Sequence, residues 1–395
     1  MHFGFDEEQR EIRSRAAKFA DREVAPDAAE LDREDRIPFG TLEKLSEMGF
    51  MGLCVPEAYG GAGSDFLSYC LLIEEISRAD AGVGVTLAVH TSAGTLPILL
   101  FGTEEQRAKW VPPLARGERI GSFALTEPTT GSDAAAIETR AEKVEGGYRI
   151  TGRKQWITNG RIAGTMILFA RAPEGVTAFI VPMDADGISF GKHAKKMGVV
   201  SATTDDVLLD NVFVPDEDRL GERGKGLGVA LGTLDPGRIG IAAQAVGIAE
   251  AAFRYAAGYA ARRTTFGRPI GEHQAVAFKL ADMQTETRAA RLLVQEAAWM
   301  KDRGMRVTEA GARAKLYASQ VANRVTNEAV QILGGYGYMK DESPVERYYR
   351  DARVTEIYEG TSEIQRLVIS RAILREQSET LGEPAGVEAT RPVVG

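Results

Sequence analysis

The chain has 395 residues, 44% hydrophobic and 26% charged, with a formal net charge of −8. That length implies roughly two or three domains with ample core, and the composition is that of a globular chain rather than a disordered or fibrous one. An acidic balance without a long basic run argues against nucleic acid as the principal partner, while two isolated cysteines, Cys54 and Cys70, form no disulfide framework and fit a reducing, cytoplasmic setting.

The start of the chain, with Asp6, Glu7 and Glu8, is too acidic for a signal or transit peptide. Residues 1–118 are expected to form a helical domain. Phe5, Ile12, Ala16, Phe19 and Ala20 recur at helical spacing, and Leu67 to Ser77 resumes the pattern after the Gly60–Gly63 break. Val83 to Leu100 reads as buried helices with a bend at Pro97, and Thr103 with Gln106 as a capping box. No apolar stretch reaches the ~18 residues of a membrane helix, so no membrane association is expected.

Residues 119–230 change texture. Tyr148–Gly152, Thr165–Phe169, Ala178–Pro182 and Asp206–Leu209 are short β-rich runs bounded by Gly, Pro and Asp, with a turn at Gly146-Gly147. They predict a compact domain of mostly antiparallel strands. Residues 231–378 return to helix: Ile239, Ala242, Ala243 and Val246 recur by threes and fours, as do Ala318, Val321, Ala322, Val325 and Ala329. Such helices want bundle packing. Residues 379–395 are expected to be a flexible tail.

Several segments carry chemistry. Glu359, set among Ile357, Tyr358 and Gly360, is the candidate catalytic base, because a poorly solvated carboxylate is driven toward the neutral range. Thr361 and Ser362 mark a helix start whose free N–H groups suit an anionic or carbonyl ligand; an ordinary cap with an exposed Glu is the competing reading. Thr126 to Asp133 is a turn-rich segment, and Gln155 to Gly160 lies one hairpin later. Together they would put hydroxyls, N–H groups and the Trp156 indole around a flat ring system, although Trp156 reads equally as a core indole.

Arg262 and Arg263 before Phe266 suit a pyrophosphate and an adenine, or merely a basic helix end. Gln331 to Tyr338 closes a helix with glycines and has no βαβ unit for a Rossmann fingerprint. Gly224-Lys225-Gly226 lacks Walker spacing. The four scattered histidines (His2, His90, His193, His273) predict no metal site.

In order, Leu-Thr-Glu-Pro-x-x-Gly-Ser-Asp at 125–133, Trp-Ile-Thr-Asn-Gly at 156–160, Arg-x-x-Phe-Gly at 263–267, Gln-Ile-Leu-Gly-Gly-x-Gly at 331–337 and Ile-Tyr-Glu-Gly-Thr-Ser at 357–362 resemble the acyl-CoA dehydrogenase family from about residue 4 to 376. The stretches 234–242 and 347–366 are most similar to its short-chain, butyryl-CoA branch. The resemblance implies an α+β multidomain fold: a helical N-terminal domain, a central β-barrel or sandwich domain and a C-terminal four-helix bundle. It also implies FAD and a homotetramer.

By the same resemblance, Phe123, Leu125, Thr126, Gly131, Ser132, Trp156, Ile157 and Thr158 match flavin-ring contacts. Arg263, Phe266, Gln274, Gln331, Gly334 and Gly335 match positions that hold the adenine half from a neighbouring subunit. Thr361 and Glu363 match flavin contacts beside the base; Ser132, Asp235, Arg238, Tyr358 and Gly360 match acyl-CoA contacts. Some relatives carry the base on the helix matching 235–239; Gly237 here leaves that role to Glu359. Val200 departs from the family, where many relatives place Arg.

The implied reaction is α,β-dehydrogenation of an acyl-CoA thioester to the trans-2-enoyl-CoA. Glu359 removes the α-proton, the β-hydride goes to the flavin, and electrons pass to an electron-transfer flavoprotein. The Gly82–Leu99 region, with Val83, Val85, Leu87, Val89 and Leu96, is expected to line an apolar acyl pocket. The rival readings are a flavin oxidase on the same fold and a non-catalytic, flavin-retaining scaffold or DNA-associated relative.

Overall fold

The computed structural model describes residues 4–381. The N-terminal helices begin where side chains satisfy free backbone donors. The Asp6 carboxylate accepts the Gln9 N–H at 2.8 Å to open α1 (Glu7–Phe19). Helices α2 (Ala28–Glu34) and α3 (Phe39–Glu47) follow, then α4 (Phe66–Ala79) and α5 (Ala81–Val89), capped by Asp65 and Asp80. After α6 (Leu96–Phe101), α7 (Glu104–Ala115) starts in the expected Thr103–Gln106 capping box.

Two features differ from the sequence reading. The α-helical pattern is interrupted not at Pro97, which sits in the first turn of α6, but by a π-helical turn, His90–Thr95, that precedes it. The helical run Ala81–Phe101 is also long and apolar enough to cross a membrane, although 89% of its most apolar window is buried inside the protein. Its polar members do not break it, because Ser92 donates to the Ala88 carbonyl at 2.7 Å and Thr95 to that of His90 at 2.9 Å. It is a core element of this fold.

The β region comprises β1 (Gly121–Ala124), β2 (Arg140–Val144), β3 (Gly147–Thr158), β4 (Thr165–Ala172), β5 (Gly175–Pro182), β6 (Ile188–Phe190), β7 (Thr204–Pro215) and β8 (Arg219–Leu220). They form one sheet in the order β6-β7-β3-β2-β4-β5-β8, with β1 parallel to β4. The other strand pairs are antiparallel, apart from a single parallel contact between β2 and β4. Strand β1 crosses the π-helical turn at Gly94 and Gly121. A Cβ on either residue would come within 3 Å of the other's backbone, so only glycine allows this approach.

Helix α8 (Gly226–Arg262) returns the chain to the helical layer, where a short hairpin, β9 (Thr264–Thr265) and β10 (Arg268–Pro269), precedes α9 (Gln274–Asp302) and α10 (Thr308–Leu333). The short α11 (Gly335–Tyr338), α12 (Val345–Val354) and α13 (Ser362–Leu381) complete it. Helix α13 runs three residues into the segment expected to be tail; residues 382–395 lie outside the described part. Buried Ala242, Ala249 and Ala256 let α8 pack closely, and one apolar core joins these helices to Ile12, Phe50 and Tyr69 of the N-terminal set. The two helical regions therefore close on a common interior.

Candidate active site

The loop between α12 and α13 builds the centre of the site. The Ile357 and Tyr358 N–H groups donate to the Val354 carbonyl, and the Ser362 N–H donates to the Glu356 carbonyl at 3.0 Å. The chain reverses through two left-handed residues, Glu359 at φ 53° and Gly360 at φ 88°. Glycine adopts that geometry freely; glutamate does so at a cost, a kind of strain that clusters at functional sites. Thr361 then caps α13, its hydroxyl accepting the Ile364 N–H at 3.3 Å.

The reversal aims the Glu359 carboxyl at α8. A Cβ at Gly237 would lie 2.5 Å from Glu359 Oε2, so the missing side chain is what makes room for the acid. Although Glu359 is partly exposed as a residue, Oε2 is buried and has no hydrogen-bond partner among the described residues. Burial raises the carboxyl to about 7, against the opposing charges of Arg238 and Lys315.

Around it, Arg238 is buried and paired with Asp235 at 2.6 Å, and Asp235 also accepts the Thr308 hydroxyl at 2.6 Å. The Tyr358 hydroxyl donates to buried Gln244 Oε1, and Gln244 Nε2 donates to the Ala81 carbonyl at 2.8 Å. These bonds hold the Tyr358 ring against an apolar cluster of Val85, Val89, Ala93, Ala202 and Ile241, with Phe123 beside it. Of the expected acyl-pocket residues, Val85 and Val89 belong here, whereas Val83, Leu87 and Leu96 face the main helical core.

The two turn segments meet on the β sheet. The Gln155 N–H donates to the Thr126 carbonyl at 2.9 Å, and fully buried Lys154 donates to the Leu125 carbonyl at 3.0 Å and to Glu127 at 2.7 Å. Glu127 also accepts the N–H groups of Glu138 and Thr139. Asn159 ties the same strands to α5, donating to the carbonyls of Thr86 and Gly121. Trp156 lies in a bulge of β3 at φ 56°, with 63% of its surface exposed. It is therefore not a core indole.

Leu125 and Ile157 are buried, Phe123, Thr126 and Thr158 half-buried, and Gly131 and Ser132 exposed. An exposed indole beside free loop hydroxyls fits the flat face of a flavin ring.

A second cluster lies at the far end of α10. Arg263, Gln331, Gly334 and Gly335 line one cavity of about 610 Å³ together with Tyr259, Thr265 and Tyr336. Phe266 stands outside its lining, 97% exposed, and Gln274 is also outside it. Residues 315 and 331 are 16 positions apart on α10, which puts the cavity about 24 Å along the helix from Lys315 beside Glu359. The two sets of expected cofactor residues are thus separate places on one chain. Glu363 is exposed, at the start of α13.

Sequence reasoning missed Lys154, Lys315, Asn159, Gln244 and Gln365, all fully buried polar residues. Lys315 carried a signal: it falls in phase with the apolar stripe Ala318, Ala322, Val325 and Ala329, where a charge has no place without a task.

Family models for the N-terminal, middle and C-terminal domains of acyl-CoA dehydrogenase match residues 6–118, 122–212 and 224–374. A short-chain-specific acyl-CoA dehydrogenase of Clostridium acetobutylicum is 46% identical over 95% of this chain and 100% of its own. Butyryl-CoA dehydrogenase of Megasphaera elsdenii has a structure similar at TM-score 0.93, with 43% identity over 95% and 100% of the two chains. A chain solved in work on the electron transferring flavoprotein of Acidaminococcus fermentans gives 0.94 and 46% over the same shares. With family models matching across all three regions and a relative 46% identical over nearly the whole chain, this chain belongs to the acyl-CoA dehydrogenase family.

Proposed function

We propose that the protein is an FAD-dependent dehydrogenase of short, straight-chain acyl-CoA thioesters, with Glu359 as the base. The observation that carries this is the buried, unpartnered Glu359 Oε2 opposite Gly237. A thioester α-proton is weakly acidic, and a carboxylate raised to about 7 by burial is strong enough to take it while still ionised near neutral pH. The Glu359 N–H, within the left-handed turn, would offer a donor to the thioester carbonyl, a contribution worth a few kcal/mol in such sites. Val85, Val89, Ile241 and Tyr358 form an apolar wall for the acyl chain and keep water from the carbon acid.

FAD, when bound, supplies the two-electron acceptor for the β-hydrogen. Thr126, Ser132, Trp156 and Thr158 would hold its ring. The 24 Å between the Glu359 site and the Arg263–Gln331 cavity supports an adenine half bound by a neighbouring subunit of a homotetramer. The likeness to the chain from the Acidaminococcus work supports reoxidation by an electron-transfer flavoprotein.

Anaerobic flavin bleaching against straight-chain acyl-CoAs from butyryl to palmitoyl, with isobutyryl and isovaleryl, tests this. Butyryl-CoA should bleach fastest, and Glu359→Gln should keep its yellow colour and bind substrate while losing turnover roughly 100- to 10,000-fold. A variant that retains turnover would remove Glu359 from the chemistry. Peroxide formed in air at the turnover rate would instead mark an oxidase.

A further inference from the structure

Behind the Glu359 turn lies a lysine that the reaction outlined above does not use. Lys315 of α10 has no exposed surface, and its ammonium donates to the Gly360 carbonyl at 2.7 Å. Gln365 of α13, equally buried, donates to the same carbonyl at 2.8 Å and to that of Glu359 at 3.2 Å. Both carbonyls belong to the left-handed pair that aims the carboxyl. Such a conformation at a non-glycine residue persists only where the surroundings over-determine it, and these two donors do so.

The charges around the acid are few. Arg238 faces it from α8, Lys315 from α10, and the phenols of Tyr69 on α4 and Tyr358 on its own loop complete the set; Glu356 and Glu363 act in turn on Lys315. Arg238 is already matched by Asp235 at 2.6 Å. Lys315 has no carboxylate within salt-bridge distance among the described residues, so its field on Glu359 is not cancelled by an ion pair of its own.

We propose that Lys315 is a positioning residue for the base: its ammonium pins the Gly360 carbonyl in the turn that aims Glu359, and its unpaired charge favours the carboxylate that receives the substrate proton. This rests on Glu359 being the base. Burial brings Lys315 down to about 8 and Glu359 up to about 7, so the lysine is still charged over the range in which the acid ionises.

The test uses the FAD-loaded protein and the variants Lys315→Arg, Lys315→Gln and Lys315→Met. Gln keeps a donor without the charge, Met removes both, and Gln365→Leu removes the second donor while keeping the charge. Two readouts are needed: kcat against pH with butyryl-CoA, and infrared titration of the Glu359 carboxyl without substrate, its band assigned by its loss in Glu359→Gln. Losing the cation disfavours the carboxylate, so Lys315→Gln and Lys315→Met should move both titrations up by roughly one pH unit.

Lys315→Met should in addition lose about tenfold of the high-pH kcat with little change in KM, as expected when a base is mispositioned. Gln365→Leu should lower kcat without moving the titration, and Lys315→Arg should restore the parental profile. An unshifted carboxyl in Lys315→Gln overturns the electrostatic half, and an unchanged kcat in Gln365→Leu and Lys315→Met overturns the clamp. If Lys315→Met does not fold, Lys315→Gln and Gln365→Leu still decide both halves. Turnover retained by Glu359→Gln would sink the base assignment alone, since the infrared titration still reads what Lys315 does to that carboxyl.

Discussion

Glu359 and Gly237 are a pair whose members are 122 positions apart in the chain, and each makes sense only with the other. A glycine inside a helix costs about 0.5–1 kcal/mol relative to alanine, and at 237 the cost keeps a carboxylate in place. Gly237→Ala should therefore leave α8 at least as stable as before, since the obstructed atom is the free end of a flexible side chain. The displaced base should lower kcat by about 100-fold, the penalty of a 1 Å misplacement. Stopped-flow flavin reduction by butyryl-CoA measures it, and an unchanged rate would show that the acid need not sit over residue 237. The poor solvation of the Glu359 carboxyl was legible from its apolar neighbours. Its left-handed backbone, and the Gln244 bond that fixes Tyr358, were not, because both depend on partners from other elements.

At the scale of elements, the two turn segments at 125–133 and 155–160 are held together by groups that local patterning hides. β3 alternates well enough to be read as a strand, yet Lys154 points inward as a fully buried cation. It bridges the strand to the Leu125–Glu127 turn, and Lys154 with the two N–H donors holds the Glu127 carboxyl below its usual range despite burial. Lys154→Met should cost about 3–5 kcal/mol, because it strands a buried carboxylate. The double variant Lys154→Met/Glu127→Leu should recover part of that loss. Urea unfolding followed by Trp fluorescence distinguishes the two, and equal losses would show that the stranded Glu127 carboxylate is not the source of the cost. The π-helical turn at His90–Thr95 was likewise invisible, since a run buried on every side has no polar face whose phase an extra residue would shift.

Across the whole molecule, the three regions are joined at a buried junction. The Val199 N–H, on the loop after β6, donates to Asp351 of α12 at 2.5 Å, and Ser201 donates to Asp80 at the start of α5, also at 2.5 Å. Burial, with Asp80 nearby, raises Asp351 to about 7. A carboxyl raised in the folded state subtracts stability progressively as pH climbs from its unfolded value to about 7, and the penalty stays constant above that. Asp351→Asn keeps an acceptor for Val199 without the charge. Its Tm should match the parent's at pH 4 and exceed it by about 2–4 °C at pH 8; a lower Tm at pH 8 would mean that the charge is stabilised by Arg347 and Arg350 after all.

The sequence by itself determined the helix–sheet–helix order, the capping box at Thr103 and the ordered motifs that mark the family. These follow from spacing and local chemistry, which neighbours in the chain dictate. Tertiary structure alone decided that the two helical regions share one core, that Trp156 faces outward, and that the Arg263–Gln331 cavity stands apart from the Glu359 site. It also decided that Lys154 and Lys315 are interior cations with assigned partners. The reason is physical: burial and its electrostatic consequences depend on which surfaces meet, and residues such as 237 and 359 meet only when distant helices pack.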